Sequence, residues 1–275
     1  MAAIQKAILL TKIGNPVILV SDRPIPQPGL NQVQLKVTVA GLNPHDQRAR
    51  DIGNFVGNDL PAVLTHDVVG KVTALGQGVS SSGLAIGDRI VTLASLRPGS
   101  LQNGLQEYTL ADVGALAKIP HSVSDDEAAT LPTNVIAPLA GLFGKLKLGL
   151  PTPWDPAVTS AQRESLTVLI VGGGSSCGKF ALKGFGATHV VGRHGGQDAV
   201  VERIRAVVGD SLVYALDAVN GPEGQLLALD ALSNSREGAL ARLVLGPVDE
   251  SKVMGKAAGF RVLDVFSAFG EDELY

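Results

Sequence analysis

Residues 168–194 read VLIVGGGSSCGKFALKGFGATHVVGRH. The apolar run Leu166–Val171 enters a glycine-rich turn, and a buried strand that feeds such a turn and then a helix opens a parallel α/β sheet. Within the turn, Gly173 and Gly178 hold the first and last places of G-x-G-x-x-G, while Ser175 stands at the middle one. Backbone N–H groups and a helix N-terminus at such a turn can face a pyrophosphate, with glycine where a side chain would collide. Gly172, Gly173, Gly174, Ser175, Ser176, Cys177 and Gly178 are therefore candidate dinucleotide contacts. A glycine-rich strand-to-helix turn without a ligand is the alternative.

Further along, strand and helix patterns alternate. Asp198–Val208 puts Val200, Val201, Ile204, Val207 and Val208 on one face, with Glu202, Arg203 and Arg205 opposite, and stops at Gly209. Leu212–Leu216, Arg242–Leu245 and Arg261–Phe266 read as short buried strands, and Leu226–Leu232 as helical. This predicts a doubly wound parallel sheet. Upstream the texture differs: Val33–Val39, Val68–Ala74 and Arg89–Leu93 are β-branched runs separated by PQPG, GQG and GD turns, as in an antiparallel, barrel-like domain. Ser124 and Glu127 form a capping box, Thr133–Leu148 has helical length with Pro138 in its first turns or at a kink, and 151–164 is a proline-bearing connector. The expected division is 1–123 for a barrel-like substrate domain and 124–275 for an incomplete dinucleotide-binding domain with linking helices.

Composition narrows the function. The 275 residues, 45% of them hydrophobic, supply a substantial core. A net charge of -3, no Lys/Arg run and 4% aromatics argue against nucleic acid. No apolar stretch reaches the roughly 18 residues of a membrane span, and the N-terminus lacks a signal-peptide cleavage pattern, so a soluble cytoplasmic protein without a membrane partner is expected. Cys177, the single cysteine, excludes an internal disulfide and a four-cysteine zinc site. Histidines 45, 66, 121, 189 and 194 show no ligand spacing, and no metal is expected.

Several ordered segments carry a resemblance. They are Ala40-Gly41-Leu42-Asn43-Pro44-His45-Asp46, Leu64-Thr65-His66-Asp67-Val68-Val69-Gly70, Gly87-Asp88-Arg89-Ile90-Val91, Gly104-Leu105-Gln106-Glu107-Tyr108, Glu127-Ala128-Ala129-Thr130-Leu131-Pro132 and Val168–Gly178. Taken in order, the chain resembles the medium-chain dehydrogenase/reductase superfamily, and within it the zinc-free branch of fungal trans-acting enoyl reductases and quinone reductases. The resemblance implies a GroES-like β domain, a Rossmann sheet, NADPH as cofactor and hydride delivery to an activated C=C bond. An enone, an enoyl thioester or a quinone is the implied substrate, and a polyketide synthase the implied partner. Asn43, His45 and Asp46 carry over as residues bordering the nicotinamide; capping of the helix at Gln47–Arg50 is the alternative for Asn43 and Asp46. His66 and Asp67 occupy the place of a zinc-binding pair in metal-dependent relatives and, without cysteine ligands, are read as structural. Tyr108 and Cys177 are read as packing residues.

Departures from that pattern shape the remaining expectations. Ala137-Pro138 stands where the family has Thr-Ala, the threonine lying against the nicotinamide. Gly184–Val191 resembles the entry to the third Rossmann strand, so the rest of the first helix, the second strand and the second helix are missing between it and the turn. On a literal reading Thr188–Val191 is itself the second strand, and Arg193, about 20 residues after Gly173, would meet the 2'-phosphate of NADPH. The crossover is then cramped, since eight helical residues span only ~12 Å against ~17–20 Å for a strand. Unpaired ladder groups favour closure of the gap, so Thr188–Val191 is expected parallel to and beside Leu166–Val171. The family also returns from the cofactor domain to complete the substrate domain, which this sequence does not. The expected function is an NADPH-dependent enoyl or quinone reductase by descent, with catalysis weakened or lost, the alternative a non-catalytic remnant that binds or scaffolds.

Overall fold

The computed structural model describes residues 3–265 apart from 165, 220, 244, 245 and 247. They divide into two compact units, with the boundary between Thr133 and Asn134.

In the first unit, β1 (Ile4–Leu10), β2 (Ile18–Pro24), β3 (Gln32–Gly41), α1 (Pro44–Ile52), β4 (Ala62–Val63), β5 (Asp67–Leu75), β6 (Arg89–Leu93), β7 (Tyr108–Asp112), β8 (Leu116–Lys118) and α2 (Asp125–Ala129) follow in order. Two antiparallel sheets result, ordered β2-β1-β4 and β7-β3-β5-β6-β8. Alternation makes the larger one cohere. Val33 and Leu35 of β3 point to the same face as Val72 of β5, Ile90 of β6 and Ala111 of β7, and all five are buried. The barrel-like reading and its three β-branched runs are thus seen as β3, β5 and β6.

The capping box is present as read: Ser124 Oγ accepts from the Glu127 N–H at 3.2 Å, and Glu127 returns a bond to the Ser124 N–H at 2.8 Å. The helix it starts belongs to the first unit. Ala128 and Ala129 bury against Val69 and Ile119, and Asp125 accepts from Arg89 Nε at 2.8 Å.

The second unit contains α3 (Pro132–Phe143, its first residues in the first unit), α4 (Ser160–Glu164), β9 (Val168–Val171), α5 (Ser176–Phe185), α6 (Gly196–Val208), β10 (Tyr214–Asp217), α7 (Pro222–Ala231), β11 (Gly238–Arg242) and β12 (Phe260–Asp264). The four strands form one parallel sheet in the order β12-β11-β10-β9. Its faces are covered separately: Leu216 and Ala241 meet Ala137, Leu142 and Ala181 on one side, while Ala215 and Leu240 meet Val200, Ile204, Ala228 and Leu229 on the other. That is the doubly wound arrangement expected.

One placement differs. Thr188–Val191 forms no strand, and Val190 is 92% exposed. The neighbour of β9 is β10, in the register Tyr214↔Val168 to Asp217↔Val171, and among the described residues β9 is an edge of the sheet. The expectation rested on the cost of burying unpaired ladder groups. Val168, Leu169 and Ile170 are only half-buried, so water can satisfy the open edge and the cost does not arise. The helix α5 also extends through Phe185, leaving little chain for an extended return.

Smaller differences are of boundary. The helix expected to reach Leu148 ends at Phe143, and Pro138 lies in its interior. The strands expected at 212–216 and 242–245 are seen at Tyr214–Asp217 and Gly238–Arg242, with Leu245 outside the described residues. β12 ends at Asp264, and Phe266 likewise lies outside them.

Candidate functional site

Two constellations carry the sequence-predicted residues, one in each unit. In the first unit, Asn43 is the N-cap of α1, and Asp46 in the first turn accepts from the Asn43 N–H at 2.7 Å. The capping role weighed for these two residues is therefore real. It is not their whole role. Asn43 Nδ2 donates to Asp67 Oδ2 at 2.9 Å, while Asp67 Oδ1 accepts from both the N–H (2.9 Å) and the hydroxyl (2.7 Å) of Thr133. Asp67 is 1% exposed, and burial raises its carboxyl above the usual range against the opposing bonds from Thr133 and Asn43.

The second carboxylate, Asp46, faces the histidines. Its Oδ1 accepts from the Thr65 N–H at 3.1 Å and lies 3.5 Å from His45 Nε2 and 3.8 Å from His66 Nδ1. The two ring nitrogens are 3.1 Å apart. Burial is the largest influence on Asp46 and raises it, but His66, His45 and the Asn43 N–H together hold it below the ordinary carboxylate range. Burial pushes His45 down to about 4, opposed by Asp46 and reinforced by His66, so its imidazole is neutral near pH 7. Phe55 sets its ring edge-on to both imidazoles, with centroids 5.8 Å from each.

The backbone around this cluster is strained. Phe55 and Thr65 have φ of 61° and 79°, and Thr65 is fully buried with no hydrogen-bond partner for its hydroxyl. A β-branched residue in the left-handed region is costly and is retained where surrounding structure fixes it. Beside His66 lies a cavity of about 40 Å³, bordered also by Arg23, Phe55, Asp59, Arg97 and Asn103. It has room for a few waters rather than a substrate.

In the second unit, β9 enters the turn at Gly172, whose φ is 82°. Ser175 caps α5, its hydroxyl accepting from the Gly178 N–H at 3.0 Å. A Cβ on Gly178 would stand 2.2 Å from the Gly172 carbonyl oxygen, so only glycine allows the helix to start this close to the strand. A Cβ on Gly174 would meet nothing within 4 Å, and Gly174 and Ser176 are exposed. The turn thus presents open backbone at the start of a ten-residue helix, which fits an anionic group. Cys177 Sγ lies 3.4 Å from Asn134 Oδ1, consistent with a packing residue.

Arg193 is exposed, in a loop whose carbonyls at Gly192 and His194 accept from Arg203. Tyr108 is half-buried at the start of β7. Sequence reasoning missed Thr65, Phe55 and Thr133, and the pairing of His45 with His66. A spacing of 21 residues gives no local signal for that pairing, which depends on α1 turning back onto the segment before β5.

The alcohol dehydrogenase GroES-like domain family matches residues 29–121. The trans-enoyl reductase tazE of Aspergillus terreus is 32% identical over 273 residues, covering 90% of this chain and 88% of that protein. The trans-enoyl reductase tndF of Aspergillus flavipes is 35% identical over 186 residues, and the match spans only 51% of its length. Among solved structures, an alcohol dehydrogenase superfamily protein from Novosphingobium aromaticivorans superposes with a TM-score of 0.70 at 22% identity, covering 94% of this chain and 78% of that one. A mycobacterial protein in complex with NADPH gives 0.66 at 24% identity (94% and 81% covered), and the CurK enoyl reductase 0.67 at 19% (94% and 80%). These structures share the fold.

Proposed function

Because the chain belongs to the medium-chain dehydrogenase/reductase superfamily, we propose that it is an oxidoreductase of the enoyl or quinone reductase type, using NADPH to reduce an activated C=C bond. The names of its relatives support the reaction class, and the NADPH-bound structural neighbour supports the cofactor. The observation that carries the reading is the turn at 172–178, where Gly178 lies against the Gly172 carbonyl and leaves exposed backbone at a helix start.

In this reading Gly172, Gly173, Gly174, Ser175, Ser176, Cys177 and Gly178 cradle the pyrophosphate, and Arg193 meets the 2'-phosphate. The bound nicotinamide supplies the hydride; the chain must orient the substrate and stabilise negative charge on its carbonyl oxygen. Asn43 and Asp46 are committed to Asp67 and to Thr65, and His45 Nε2 to His66, which leaves Nδ1 of His45, on a side chain 18% accessible, as the neutral donor. Asn43 and Asp46 then act as positioning residues that fix the start of α1. An enone, an enoyl thioester presented by a polyketide synthase, or a quinone is the substrate class, and the cytoplasm is the proposed location. Among the described residues no helix is long and apolar enough to cross a membrane.

The test is NADPH consumption by the full chain with a small enoyl thioester and with a quinone. Reduction of either, lowered in His45→Ala, supports the proposal; no turnover with either contradicts it. A second reading, a non-catalytic remnant that binds or scaffolds, is favoured by the open edge of β9, where the strand expected at Thr188–Val191 is not formed. Cofactor binding without turnover would select it.

A further inference from the structure

We infer that Lys256 is a modification site, an amine placed to accept an acyl group from a thioester of the acyl-coenzyme A kind. It stands at the C-terminal end of α7. Lys256 Nζ donates to the Asp230 carbonyl at 3.0 Å, to Asn234 Oδ1 at 3.1 Å and to the Leu232 carbonyl. Arg205 Nη2, arriving from α6, donates to the Asp230 carbonyl at 3.0 Å, to Asn234 Oδ1 at 2.9 Å and to the Leu232 carbonyl at 3.1 Å. Two cations thus converge on one set of three oxygens.

A single cation at the last carbonyls of a helix meets their partial negative charge and is a normal cap. A second one on the same oxygens is repelled by the first. The nearby carboxylates do little to offset this: Asp210 Oδ1 lies 3.7 Å from Arg205 Nη1, and Asp230 Oδ2 accepts from Gln197. All three acceptors of Lys256 are neutral. Burial, and then the charge of Arg205, lower Lys256 to about 8 against the opposing pull of Asp230 and Asp210. At pH 7.4 about a fifth of such an amine is free base, where an ordinary lysine has about a thousandth.

The cluster also tolerates loss of the charge. Arg205 Nη2 carries two N–H groups and an acylated Lys256 keeps one, which leaves three donors for the three oxygens. The backbone fixes where the side chain starts, since the Gly259 N–H closes a turn on the Lys256 carbonyl at 3.0 Å. Lys256 is half-buried, so its outer side stays open to a reagent. In the reaction the neutral Nζ attacks the thioester carbonyl carbon. The C–N bond forms, the C–S bond breaks, and the surplus proton of the nitrogen leaves with the sulfur as a thiol. No oxidant or reductant is needed, and hydride transfer plays no part.

Acetyl-coenzyme A is the probe. The full chain is incubated with it at about pH 7.4, and acetylated lysines are located by peptide mass spectrometry. Lys256 should react at least tenfold faster than the exposed Lys12 and Lys145. The gain in rate is smaller than the gain in free amine because a less basic nucleophile attacks more slowly. The rate at Lys256 should level off above about pH 8, and Arg205→Gln should move that midpoint upward. Equal rates at the three lysines, a Lys256 rate still climbing at about pH 9.5, or an unmoved midpoint in Arg205→Gln would overturn the assignment. Should that variant fold poorly, the rates and pH profile of the natural chain decide.

Discussion

Asp67 meets three donors, the Asn43 amide and the N–H and hydroxyl of Thr133, and is 1% exposed. Every partner donates, so an acceptor-only group suits the position. Asp67→Asn would turn an NH₂ toward at least one of them, and we expect a loss of about 1–3 kcal/mol in urea unfolding of the full chain. A variant as stable as the natural chain would mean that the network is not under tension. This position also shows what a sequence hides: the residues of LTHD were readable as a structural pair, but nothing local told which carboxylate faces the histidines. Asp46 does, because the pitch of α1 brings its first turn over Thr65.

Among elements, those with strong local signals were legible. The capping box at Ser124, the 3.6-residue pattern of α6 and the β-branched run of β6 are all found where the residues placed them. Strand ends in the parallel sheet shifted by a few residues because both faces are buried, which leaves a continuous apolar run without a phase. The link from α6 to β10 shows a feature that pattern alone could not reveal. Asp210 collects the N–H groups of Asn234 and Ser235 and the hydroxyls of Ser233 and Ser235, and these bonds, led by that of Asn234, hold its carboxyl well below the usual range. A folded-state pKa below the unfolded value contributes stability above about pH 4 that is lost as pH falls further. Asp210→Asn should therefore be less stable at neutral pH and show a shallower decline on acidification; identical acid limbs would remove Asp210 from the account. At the turn, Gly178→Ala should destabilise the fold itself by about 1–3 kcal/mol, since its Cβ meets backbone at 2.2 Å. Unaltered unfolding in that variant would mean that β9 and α5 can separate at no cost.

For the whole molecule, the two-part organisation and both sheet types were readable, while the treatment of the shortened sheet was not. Closure of a gap was expected from the cost of unpaired groups, whereas the structure leaves β9 as an edge with Thr188–Val191 outside the ladder. Whether an edge is wet is a property of the assembled fold, beyond any local pattern. Arg193 consequently stands in an exposed loop rather than at a strand end, and its proposed reading of the 2'-phosphate is open to a simple check: Arg193→Ala should weaken NADPH binding and spare NADH, and equal losses would dismiss it. The central claim is that the turn at 172–178 still holds a dinucleotide. The most direct measurement is titration of the full chain with NADPH, followed by nicotinamide fluorescence, alongside Gly174→Asp. Because a Cβ there meets nothing within 4 Å, this variant adds a carboxylate to the turn without disturbing its packing. Saturable binding by the natural chain, lost in Gly174→Asp while its unfolding is unchanged, is the predicted result; no binding by the natural chain, or equal binding by the two, would contradict it.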